Sequence, residues 1–160
     1  MSSPNQLTEQ QRASILKGHH SFRHREMVRY WLLSERDLEV VNDRRRQHNR
    51  LGFAAQLCLL RYPGWPLKPD ELPPPNLLQF VAAQLAVDPV EIREYSQRDR
   101  TRREHVQWLA RTYDFHSYNS PYPQMLRQHL LQESMATDSP YALIQSSLEW
   151  LRSHRIIPRH

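Results

Sequence analysis

The stretch Asn42–Gly64, NDRRRQHNRLGFAAQLCLLRYPG, decides how the rest of the chain is read. Three consecutive arginines end in a short polar step, and a run that is apolar on nearly every side begins at once. On a helical wheel, Leu51, Phe53, Ala54, Leu57, Cys58 and Leu60 leave only a narrow polar strip near Asn49, Gly52 and Gln56. Such a helix is buried by its neighbours, each large apolar side chain contributing about 1.5–3 kcal/mol. It is the expected organising centre of the first of two helical lobes, with strong positive charge fixed at its edge.

Upstream, Ser34 is placed to cap a helix over ERDLEVVNDRRR, residues 35–46. Glu35 and Asp37 then lie near its positive end and Arg44, Arg45 and Arg46 near its negative end, the order the helix dipole favours. Glu26–Leu33 reads as a short helix, and Thr8–Lys17 as a first one stopped by Gly18. Downstream, RYPGWPLKPDELPPP holds Pro63, Pro66, Pro69, Pro73, Pro74 and Pro75. This segment reads as a stiff, extended spacer, or as one that Trp65 and Leu67 pack down. Helices follow over residues 76–86, from Asp88-Pro89 onward, and over 99–113, 121–135 and 140–154. Three glycines against twelve prolines, with no period-two alternation and no internal repeat, argue for helices punctuated by proline. The expectation is an all-α protein of eight or nine helices in two small lobes, helix-turn-helix-like. Its divisions are an N-terminal lobe over 1–62, a proline-rich linker over 63–75 and a second lobe over 76–160.

Charge bears on partners. The chain carries a net charge of +5 with 39% hydrophobic residues, a mean hydropathy of −0.79 and a pI of about 9.7. Among the 22 basic residues only Lys17 and Lys68 are lysine, leaving 20 arginines. A guanidinium grips a phosphate or a guanine edge bidentately, although a GC-rich genome gives the same bias without function. Cys58 is the single cysteine, which rules out an internal disulfide or a thiolate cluster. No apolar run approaches the roughly 18 residues that span a bilayer, and MSSPNQLTEQQ lacks a secretory layout, so a cytoplasmic protein is expected.

Two basic groups stand out. Arg44, Arg45, Arg46, His48, Asn49 and Arg50 cluster at a helix–turn–helix-like junction, where arginine suits guanine and asparagine adenine. Only the first turn of the buried second helix would reach DNA. The bland reading is arginines favouring a helix C-terminus while staying solvated. The second group lies in QRDRTRREHVQWLARTYD: Arg98, Arg100, Arg102, Arg103, Gln107 and Arg111. Arg100, Arg103, Gln107 and Arg111 fall on one side of that helix, and Val106, Leu109 and Tyr113 on another. A cationic stripe of this kind tracks a phosphate backbone; a solvated face with Glu104 paired to Arg100 is the equal alternative.

Enzymatic signals are poor. His19, His20, His24 and His48 have no cysteine or carboxylate at ligand spacing, so no metal is expected. Gly18, Gly52 and Gly64 are isolated and make no phosphate loop. Asp70-Glu71 lies in the proline segment, and Tyr30, Trp31, Trp108 and Trp150 read as core. No catalytic residue and no cofactor is expected.

RRRQHNRLGFAAQLCLLRYPG, followed by LPPPNLLQFVAAQLAVDP and YSQRDRTRREHVQWL, resembles the N-terminal region of Tn-three family transposases, the replicative, cointegrate-forming bacterial transposons. The resemblance runs from about Leu7 to Arg155. It implies a helical DNA-binding region that recognises terminal inverted repeats. Implied partners are double-stranded DNA, the rest of the transposase and a second copy of the chain, and the implied setting is the bacterial nucleoid. Catalysis in that family rests on an acidic metal-binding triad in an RNase H-like domain, and nothing in this sequence corresponds to it. Ending at RIIPRH, the chain reads as a fragment that binds DNA without cutting it. The alternatives are a protein-interaction or oligomerisation module of the transposase and a free-standing repressor.

Overall fold

A computed structural model describes residues 24–158, so the helix expected at Thr8–Lys17 lies outside the described residues. Within them are α1 (His24–Trp31), α2 (Glu35–Asn42), α3 (Gln47–Arg61), α4 (Pro75–Leu85), a 3-10 turn (Pro89–Glu91), α5 (Ile92–Ser96), α6 (Asp99–Thr112), α7 (Tyr122–Ser134) and α8 (Pro140–Ser153). The fold is all-α as expected. One small departure is a parallel pair of two-residue strands, β1 (His116–Ser117) and β2 (Ile156–Ile157). Two residues are too few for any alternation to appear in sequence.

The apolar run becomes α3, and every residue from Leu51 to Leu60 is buried. Around it pack α1, α2, α4, the 3-10 turn, α5 and α6. One cluster of buried side chains therefore runs from Trp31 to Leu109. A smaller cluster, Tyr118, Leu126, Leu151 and Ile156, lies between α7, α8 and the strand pair. Gly52 allows the closest approach in the larger core, because a Cβ there would fall within the Tyr95 ring of α5.

The proline segment is packed down at its start: Pro63, Gly64, Trp65, Pro66 and Leu67 are all buried. Buried backbone that forms no regular structure must find other hydrogen-bond partners. The Leu67 N–H donates to Gln56 Oε1 of α3 at 2.8 Å, and the Leu67 carbonyl accepts from Arg102 Nη1 of α6 at 2.7 Å. The bend between α1 and α2 is met in the same way by Gln84 of α4. Its Oε1 accepts from the Leu33 N–H at 2.7 Å and its Nε2 donates to the Trp31 carbonyl at 3.0 Å.

Local signals hold where they were strongest. Ser34 and Asp37 form a reciprocal capping box at the start of α2. Asp88 accepts from the Val90 N–H at the proline-initiated 3-10 turn. Asp37 does more than cap. It accepts two bonds from Arg61 of α3, at 2.8 and 2.9 Å, and one from the Tyr113 hydroxyl beyond α6 at 2.8 Å. Burial alone would raise this carboxyl; the bonds from Arg61, the Ser34 N–H and Tyr113 outweigh it and hold the pKa at about 2.

Two expectations follow for stability. A value lowered from the ordinary 3.8 to about 2 means that this carboxylate's contribution is complete above about pH 4 and lost as pH falls through 2. Asp37→Asn therefore costs about 2–4 kcal/mol at neutral pH, and urea melts across a pH series will show the gap to wild type closing between pH 4 and 2. Gly52→Ala forces the core apart at Tyr95 and lowers unfolding free energy by about 1–3 kcal/mol in the same assay.

Candidate nucleic-acid interface

Between α2 and α3 the chain makes a tight turn. α2 ends at Asn42 with Asp43 as its C-cap, so the three arginines expected in its last turn lie beyond the helix. Arg50 closes that end, donating Nε to the Arg44 carbonyl at 2.9 Å and Nη2 to the Asn42 carbonyl at 3.3 Å. Arg44 is drawn inward: its guanidinium lies 4.8 Å from the Phe53 ring centroid and 4.7 Å from that of Trp108. His48 is buried, with Nδ1 3.5 Å from Glu94 Oε2. Asn49 is half-buried, and its Oδ1 is buried with no hydrogen-bond partner among the described residues.

That leaves Arg45 and Arg46 exposed. Neither has a carboxylate partner among the described residues. Arg46 takes φ 68° as the N-cap of α3, and no side chain caps that helix. A non-glycine residue at positive φ costs of order 1–3 kcal/mol, strain that the surrounding packing must hold. The outcome is a helix N-terminus with no side-chain cap among the described residues, flanked by two exposed guanidinium groups, of which Arg46 also acts on Glu94 at longer range.

The second group lies on α6 and is more heavily paired. Arg98 meets Glu94 at 2.8 Å, Arg100 meets Glu104 at 2.8 Å, and Arg103 meets Asp99 at 3.2 Å. Arg100 and Arg103 remain well exposed, and exposed pairs of this kind are held weakly enough to exchange for another anion. Gln107 and Arg111 are exposed with no acid partner among the described residues. Arg102 is different. It is only 8% exposed and spends itself on the Leu67 carbonyl and on Asp99 at 2.6 Å. Expected as an outward contact, it belongs to the core.

The two groups are neighbours. Phe53 of α3 and Trp108 of α6 lie 5.6 Å apart, and Arg44 covers both rings. Beneath them His105 sits edge-on to Phe53 and stacks on Tyr95, its Nδ1 3.0 Å from the Tyr95 hydroxyl. Burial, then the charge of Arg44, push that imidazole down to about 4, so at neutral pH it is uncharged and can accept the tyrosine proton. The turn and the α6 stripe thus share one aromatic footing.

Two further groups escaped sequence reasoning. His48, Glu91 and Glu94 bring one ligand-type atom each within 4.8 Å of one another. The bond from Arg98 holds the Glu94 carboxyl below its usual range, with His48 and Arg46 adding to the effect, and the cluster reads as an ion-pair network. The other is an arginine-lined cleft formed by Arg29, Arg61, Arg152 and Arg155. No local stretch of sequence signals it, because its members span positions 29 to 155.

A scan of family models matches residues 7–158 to a domain of unknown function, DUF4158. Among curated proteins, the chain is 37% identical over 128 residues to the transposase for transposon Tn1546 of Enterococcus faecium, covering 80% of this chain and 13% of that protein. It is 41% identical over 135 residues to the transposase for transposon Tn501 of Pseudomonas aeruginosa, covering 83% and 14%. Against the transposase for transposon gamma-delta of Escherichia coli K12, identity is 32% over 135 residues, covering 82% and 14%. The chain thus spans about one seventh of the length of these relatives. Among the described residues no helix is long and apolar enough to cross a membrane.

The contrast within α6 is testable without DNA. Arg102→Ala strips the Leu67 carbonyl of its donor in a buried site and lowers stability by about 2–4 kcal/mol. Arg103→Ala, on the exposed face, leaves the urea midpoint unchanged. Equal midpoints for the two variants would contradict the assignment.

Proposed function

The chain belongs to the DUF4158 family and is similar to a stretch of Tn-three family transposases, and on that footing we propose that it is a DNA-binding module that recognises the terminal inverted repeats of a transposon. The observation that carries the reading is the bare pair Arg45 and Arg46 at the uncapped start of α3. Helix N-terminal N–H groups and unpaired guanidinium groups both favour phosphate. Beside them, α6 offers Arg111 and Gln107 directly, and Arg100 and Arg103 by exchange of weak surface pairs.

Its mechanism is anchoring and reading. Arg45, Arg46 and the α6 stripe hold phosphates and set the register; Asn49, in the first turn of α3, is the candidate base reader, and because its Oδ1 is buried it must turn outward to reach a base edge. Arg44 and Arg50 shape the turn, and His48 and Arg102 support it from within. α2 and α3 follow the helix-turn-helix order, yet burial of α3 from Leu51 onward confines contact to the turn and the first residues of α3. The module supplies binding and no bond breaking, leaving chemistry to the rest of a transposase.

A second reading, an interaction surface for the rest of the transposase or a second copy, is favoured by apolar side chains left open on α7 and α8. Met135 is 89% exposed and Tyr141 71%. Self-association without preference for repeat DNA would select it.

Fluorescence anisotropy with an inverted-repeat duplex and a scrambled duplex, across a salt series, tests the leading reading. Arg45→Ala with Arg46→Ala weakens both duplexes alike and flattens the log–log salt slope by about 2. Asn49→Ala reduces preference for the repeat by about 1–3 kcal/mol. Equal affinity of the wild-type chain for repeat and scrambled DNA would overturn sequence recognition.

A further inference from the structure

The arginine-lined cleft stands at the far end of α3 from the Arg45–Arg46 turn. A cavity of about 270 Å³ opens between the ends of α1 and α3, the segment after α6, and the end of α8. Arg29, Arg61, Arg152 and Arg155 line it, and among the described residues no carboxylate does. From the geometry we infer that this cleft is a phosphate-binding site, which takes a backbone phosphate of the same DNA beyond the stretch met by the turn. The DNA half of this statement rests on the function proposed above.

The bland account is that arginines gather where helix C-termini converge. Four helices end here, each carrying roughly −0.5 of partial charge. That account covers two of the four. Arg61 is spent on Asp37 through two bonds. Arg155 donates Nη1 to the Tyr113 carbonyl at 2.8 Å, a helix-end carbonyl of α6. Arg29 and Arg152 are held otherwise. Arg29 lies 5.2 Å from the Tyr30 ring centroid, Arg152 lies 4.6 Å from that of Tyr62, and the two tyrosines stack at 4.9 Å.

A guanidinium resting on a ring uses its flat face and keeps its edge N–H donors available. Neither Arg29 nor Arg152 has a carboxylate or carbonyl partner among the described residues. Gly64, at φ 115°, brings its backbone against the Arg152 stem, where a Cβ would stand 3.2 Å from Cγ. The pair is therefore pre-oriented on an aromatic stack, edges unspent, in a concave site. Exposed Glu26 and Glu149 act on Tyr62 from outside the lining, and with Asp37, bonded to Arg61 and Tyr113, they are acids that oppose an anion here.

Position says which phosphate. At 1.5 Å per residue, the 15 residues of α3 separate the turn from the cleft by roughly 20 Å. Along one DNA strand that is about six nucleotides at 3.4 Å each. α6 packs alongside α3, and its C-cap Tyr113 lines the cleft, with Arg111 in its last turn. The Arg45–Arg46 turn and the cleft thus stand at opposite ends of α3.

The test compares wild type with Arg29→Gln/Arg152→Gln, and with Arg29→Lys/Arg152→Lys to keep charge while losing the planar fork. Circular dichroism and thermal melting first establish that all three fold. On a long repeat duplex the Gln variant should bind roughly tenfold more weakly, with a salt slope smaller by one to two; the Lys variant should keep the slope. On a duplex trimmed by six base pairs at the cleft side, wild type and Gln variant should bind alike. Inorganic phosphate is the second probe, read as chemical-shift changes at the Gly64 and Phe115 backbone amides, which wild type and both variants share.

Phosphate shifts that vanish in the Gln variant, without any DNA binding by wild type, would keep the site, assign it to a free phosphate and remove the DNA reading. Identical long-duplex binding by wild type and Gln variant, with phosphate shifts present, would remove only the DNA half. No phosphate shift and no difference on long duplex would overturn the inference altogether.

Discussion

At Leu67 a proline-flanked backbone is buried where it can join neither helix nor sheet, and its two polar groups must be met by side chains. Gln56 from α3 takes the N–H and Arg102 from α6 takes the carbonyl. This single residue ties the two helices together and sets the rotational phase of α6. With Arg102 turned inward, the wheel leaves Arg100, Arg103, Gln107 and Arg111 facing out, because these positions lie on the opposite side at about 100° per residue. The cationic stripe is a by-product of one core arginine satisfying one buried carbonyl.

The two arginine groups differ in electrical character as well as position. On α6, acids sit at helical spacing from Arg100, Arg102 and Arg103, so the stripe carries its own counter-charges. Exposed pairs of this kind contribute little to stability and yield to a polyanion by simple exchange. At the α2–α3 turn Asp43 caps α2 through its backbone N–H, and neither Arg45 nor Arg46 has a carboxylate within ion-pair distance among the described residues. The turn is thus the more attractive end of the surface and α6 the more adaptable one.

Much of the frame was legible in the sequence because its causes are local. The all-round apolar run announced the central helix, Ser34 and Asp37 announced the start of α2, and Asp88-Pro89 announced the turn before α5. The candidate site was legible in composition but not in role. Arg102 and Arg103 are adjacent and chemically identical, and one is core while the other is surface. What separates them is a carbonyl 35 residues upstream in the chain. Arg44 likewise reads as one of three equal charges until Phe53 and Trp108 close around it. The Arg29–Tyr30–Tyr62–Arg152 stack had no sequence signal, since it is assembled from the ends of elements that meet only in the fold.

The strand pair joining His116 and Ser117 to Ile156 and Ile157 is a seam only two residues long on each side. Among the described residues, the cluster between α7, α8 and this seam holds four buried side chains, against nineteen in the cluster around α3. Cooperative units open in order of the contacts they bury, so α7 and α8 are the part expected to open first. Arg155 lies at that seam and Arg152 one turn before it. An opening there would dismantle one wall of the cleft and leave the Arg45–Arg46 turn whole.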